Sequence, residues 1–103
     1  MKDVGKALST IKSLKIGGTT YKVLVLPEII DDDRELFGQI KYNDSVIKVS
    51  KKYPSNISNT ILHECLHGIL EDRGIKHKEE LVVQLTNGLI QLFRDNPELK
   101  KLI

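Results

Sequence analysis

The sequence predicts a small α+β domain, a small antiparallel sheet of two hairpins followed by two helices. Three observations carry this. Before Pro54, short apolar runs alternate with turn dipeptides, as strands and their turns do. After Pro54, apolar residues recur at helical spacing. A chain of 103 residues can also bury about two thirds of its unfolded surface in a single core. Residues 1–103 therefore read as one domain, with a sheet region over 14–50, a first helix over 55–73 and a second over 78–94.

The first hairpin lies in "LKIGGTTYKVLVLPEI", where Gly17-Gly18 supplies the positive φ of a tight turn. The second lies in "LFGQIKYNDSVIKVS", with Asn43-Asp44 turning between strands at 39–42 and 46–49. Between them "DDDRE", residues 31–35, reads as a solvated loop or a helix start. Upstream, residues 3 to 12 set Val4, Leu8 and Ile11 on one side of a short amphipathic helix.

The first long helix can be capped by Ser55 or Asn56 and ended by Gly74 in the left-handed conformation. At about 100° per residue, Ser58, Leu62, Leu66 and Ile69 are expected to face the core. His63 and His67 then border it, and Glu64 lies further round. The second helix stops before Pro97. Its arc of Leu81, Val82, Val83, Leu85, Leu89, Ile90, Leu92 and Phe93 faces inward, opposite Glu80, Gln84, Asn87 and Gln91. The final "ELKKLI" reads as a frayed tail, with a fold-back over a cleft as its alternative.

Composition removes several classes of function. The formal net charge is +2 with both signs interleaved, which gives no concentrated field for nucleic acid. No apolar run is long enough to span a bilayer, and "MKDVGKALSTIKS" lacks the apolar centre of a signal peptide. Cys65 is the sole cysteine, so it forms no intrachain disulfide and is expected to pack as a small hydrophobe in a reducing, cytoplasmic setting.

The chemistry lies in "TILHECLHGILEDRG", residues 60–74. His63 and His67 stand at i and i+4 on a helix, so both imidazoles can approach one zinc ion at about 2.0–2.1 Å. Glu64 between them is placed to act as general base on a metal-activated water. A hydrolytic zinc needs a third protein ligand. Glu79 projects into the apolar arc of the second helix above Val82, Val83 and Thr86, where a metal would offset the cost of a buried carboxylate. Glu80 is the reserve, and His77 on the linker is a further alternative as ligand or as donor to a developing oxyanion.

The segments "TILHECLHGILEDRG" and "EELVVQLTNGLIQLFRDNP", with "FGQIKYNDSVIKV" before them, resemble the small HExxH proteins of phages and prophages, which are related to the ImmA/IrrE metallopeptidases and to minimal gluzincins. The resemblance covers about residues 14 to 97 and implies a minimal zincin-like α+β domain, with an active-site helix and a glutamate-bearing helix, that acts as a zinc-dependent peptidase. It assigns His63 and His67 as ligands, Glu64 as general base, and Glu79 or Glu80 as the glutamate ligand. An extended peptide or protein substrate is expected along an edge strand near Val46–Val49 by strand addition. The alternative is a non-catalytic interaction module in which zinc holds the two helices together.

Overall fold

The computed structural model describes residues 11–103. The helix expected over residues 3 to 12, but for its last two residues, lies outside that range. The elements are β1 (Ser13–Ile16), β2 (Thr19–Leu26), β3 (Ile29–Asp31), β4 (Arg34–Leu36), β5 (Gly38–Lys41) and β6 (Val46–Ser50). A 3-10 turn (Pro54–Asn56), α1 (Ile57–Asp72), α2 (Glu79–Asp95) and a second 3-10 turn (Leu99–Leu102) follow. The α+β class is as the sequence indicated.

Both expected hairpins form. Gly17 takes φ +59° between β1 and β2, and Ser45 takes φ +54° between β5 and β6. The hairpins join through parallel pairing of β2 with β6, from Lys22 opposite Val46 to Leu26 opposite Ser50, giving the sheet order β1-β2-β6-β5. The expected docking strand at Val46–Val49 is thus interior, with Ile47 and Val49 wholly buried, and the edge on that side is β5. The acidic stretch 31–35 is neither loop nor helix start. Asp32 and Asp33, at φ +53° and +61°, turn the β3–β4 ribbon, a conformation that aspartate tolerates better than most residues.

Pro54 opens the turn before α1, where the missing N–H of proline costs nothing. Asn56 is the N-cap of α1, but neither it nor Ser55 caps through its side chain. At the other end Gly74 is left-handed (φ +69°). Its N–H donates to Glu71 O (3.1 Å) and that of Ile75 to Leu70 O (2.9 Å), the paired closure of a Schellman motif.

Helix α1 packs on two sides, which corrects the expected core face. Ile57, Ile61 and Cys65 lie against the sheet core of Ile16, Tyr21, Val23, Ile47 and Val49. The other side meets α2, where Asn59 Nδ2 donates to Asn87 Oδ1 (3.0 Å). Ser58 and Ile69, expected inside, are exposed, and Glu64 is buried. Two glycines permit the close approach of helix and sheet. A Cβ on Gly68 would lie 3.0 Å from Ile16 Cδ1, and one on Gly38 would press into Thr60 and lie 3.1 Å from Lys48 O and 3.2 Å from Glu64 Oε2. Gly38→Ala should therefore push β5 off α1 and cost about 1–3 kcal/mol, measured by urea unfolding. An unchanged midpoint would mean that the helix gives way freely there.

Helix α2 buries a narrower arc than its apolar residues suggest. Val82 and Thr86 are fully buried, whereas Leu81, Val83, Leu85, Leu92 and Phe93 are exposed, because only one side of the helix meets α1. The Thr86 hydroxyl donates to Val82 O (2.7 Å) and so satisfies itself within its own helix. Residues 99–102 form a turn beyond the far end of α2 and do not line the cleft described next, so the C-terminus is no lid. Among the described residues no helix is long and apolar enough to cross a membrane.

Candidate metal centre

The edge strand β5, helix α1 and the start of α2 enclose a cleft of about 630 Å³. Its lining includes Gly38, Gln39, Ile40, Tyr42, Thr60, His63, Glu64, His67, His77 and Glu79. The i, i+4 spacing on α1 brings the His63 and His67 rings to a centroid separation of 4.8 Å. Lys78, in extended conformation, starts α2 so that Glu79 is its first residue, where the helix dipole also favours a carboxylate.

Glu79 reaches both histidines. Its Oε1 contacts His63 Nε2, and its Oε2 lies 3.2 Å from His67 Nε2. One ligand atom from each of His63, His67 and Glu79 falls within 4.8 Å of the other two. Two imidazole nitrogens and a carboxylate oxygen that close together could hold one divalent metal ion, and the donor set suits zinc. Among the described residues this is the group of at least three histidine, cysteine or acidic side chains so disposed.

The helical direction that favoured Glu79 over Glu80 is matched by the fold, but the cost argument behind it is not. The Glu79 side chain is 69% exposed, so it sits at the cleft mouth and pays little desolvation. Glu80, about 100° round the helix, is exposed and lies outside the group. His77 is likewise no member. Its Nδ1 lies 2.7 Å from His67 Nδ1 and its Nε2 lies 2.8 Å from Glu71 Oε1, so one nitrogen meets the ring edge of His67 opposite Glu79 and the other a carboxylate outside the group. The ring is half-buried in the cleft lining.

Burial sets the electrostatics. Glu64 is 7% exposed, and desolvation first, then the negative charge of Glu79, push its carboxyl up to about 7. Burial lowers the His67 pKa despite the opposing pull of Glu79, which favours the neutral imidazole that binds metal. Burial and the neighbouring Glu64 raise the Cys65 thiol, so it stays protonated and inert.

Sequence reasoning passed over Tyr42. Desolvation first, then nearby acidic groups and Tyr21, push its phenol up to about 12, so it remains a hydrogen-bond donor throughout the neutral range. Its position just after β5, at the start of the turn that contains Asn43-Asp44, was the available signal. Protein-family models, curated proteins and solved structures gave no match to the chain.

Proposed function

We propose that the protein is a small zinc-dependent metallopeptidase of the kind carried by phages and prophages, acting in the cytoplasm. The reading is carried by one observation: the convergence of His63, His67 and Glu79 in a cleft that also contains the Glu64 carboxyl. His63, His67 and Glu79 would hold the ion, which when bound supplies a Lewis acid for the scissile carbonyl and acidifies the attacking water.

The remaining work falls to the chain. Glu64, on the same helix, accepts the water proton at its carboxylate and returns it to the leaving nitrogen. The outer edge of β5, the last strand of the sheet, would offer backbone groups to an extended peptide, which strand addition would align across the cleft. Tyr42 supplies a neutral donor in the cleft lining.

Three protein donors leave a position for water, which favours an enzyme over a zinc-stapled interaction module. The test is incubation of the zinc-loaded protein with a library of unstructured peptides, with products read by mass spectrometry. Cleavage should appear, vanish with chelator and return with zinc. Stable zinc binding without cleavage of any peptide would leave the interaction module as the better reading.

A further inference from the structure

We propose that His77 and Glu71 fix the tautomer of His67, so that Nε2 is the nitrogen His67 offers to a metal. The inference rests on the metal-centre reading above and names two positioning residues for it.

The argument is a count of protons. A carboxylate only accepts hydrogen bonds, and a neutral imidazole carries one ring proton. His77 Nε2 lies 2.8 Å from Glu71 Oε1, so that nitrogen holds the His77 proton and donates it. His77 Nδ1 is then bare and accepts across 2.7 Å from His67 Nδ1, which must carry the proton of His67. His67 Nε2 is left with its lone pair, directed to the side where His63 and Glu79 converge. The opposite distribution would set two acceptors, His77 Nε2 and Glu71 Oε1, against each other at 2.8 Å. The chosen one leaves its acceptor pair, His67 Nε2 and Glu79 Oε2, at 3.2 Å. A cation held by both residues would offset that repulsion, and without one the exposed Glu79 side chain can turn aside.

The fold assembles this chain locally. Glu71 stands one helical turn beyond His67 on α1, Gly74 stops the helix, and the linker carries His77 back over both. The His77 ring also meets Tyr42 edge-on at 6.4 Å. His77 precedes Glu79 by two residues, so the linker that fixes His67 also delivers the carboxylate ligand. An outer partner of this sort sets both the ring orientation and the basicity of a ligating histidine.

Two measurements test the proposal. Long-range proton–nitrogen NMR spectra of the full chain in chelator, at a pH where the imidazoles are neutral, should place the His67 proton on Nδ1. His77→Phe should shift that proton toward Nε2 and weaken zinc binding by about 10–100-fold, read by competition with a chromophoric chelator. His77→Gln should restore most of the affinity, because an amide can accept from His67 and donate to Glu71. Circular dichroism checks that both variants fold. A His67 proton on Nε2 in the unaltered protein overturns the proposal. So does a His77→Phe variant with unchanged tautomer and affinity. An unaltered protein that binds no zinc sinks the metal reading instead, and the NMR result alone then judges the tautomer.

Discussion

Glu64→Gln is expected to keep zinc affinity close to that of the unaltered protein while slowing peptide cleavage by about a thousandfold or more. The amide has nearly the same shape and can still hydrogen-bond the attacking water, but it cannot take the proton. The same substitution separates chemistry from stability. In chelator, the folded protein holds the Glu64 proton up to a pH of about 7, against 4.5 for the ordinary carboxyl. Below pH 4.5 both folded and unfolded states are protonated and the group makes no difference. As pH rises toward 7 the unfolded chain releases its proton first, so stability falls, by about 3 kcal/mol in all. Gln lacks this penalty. The metal-free Glu64→Gln variant should therefore be the more stable protein at pH 8, with the gap closing toward pH 4.5, measured by denaturant unfolding at each pH. Cleavage that survives in the variant would remove Glu64 from its role, and a pH-independent gap would mean that its carboxyl is not held neutral by burial.

The second large effect concerns the third ligand. Glu79→Gln should weaken zinc binding at least about tenfold, since a neutral amide is a poorer ligand than a carboxylate for a divalent ion. Glu80→Gln should bind zinc as the unaltered protein does, because it changes only an exposed charge outside the cluster. Chelator competition on the folded variants makes the comparison. Equal and negligible losses would mean that the two histidines hold the ion without either glutamate.

Much of the site was legible because a helix converts sequence spacing into direction. The i, i+4 spacing of His63 and His67 put both rings on one side of α1, and about 100° between Glu79 and Glu80 let only one of them face those rings. Direction was legible even where cost was misjudged: Glu79 reaches the histidines from the exposed mouth of the cleft. His77 was not legible, because its role depends on how the linker after Gly74 folds back, and no periodicity governs a linker. The hairpin turns at Gly17 and Asn43-Asp44 were local signals and formed as expected. The parallel pairing of β2 with β6 joins residues more than twenty apart, and alternation within either strand is silent about its neighbours. The edge strand was misplaced for that reason. The face of α1 was misread because a helix packed on both a sheet and a second helix spreads its apolar residues over two sides, whereas a single-stripe reading assumes one.

The most direct test of the proposed centre is anomalous scattering at the zinc edge, from crystals of protein purified without a metal-binding tag and equilibrated with zinc. One zinc per chain is expected, bonded to Nε2 of His63, Nε2 of His67 and a carboxylate oxygen of Glu79, with no fourth protein ligand. A map without a zinc peak at these residues, or a fourth protein side chain closing the coordination sphere, would contradict a hydrolytic centre.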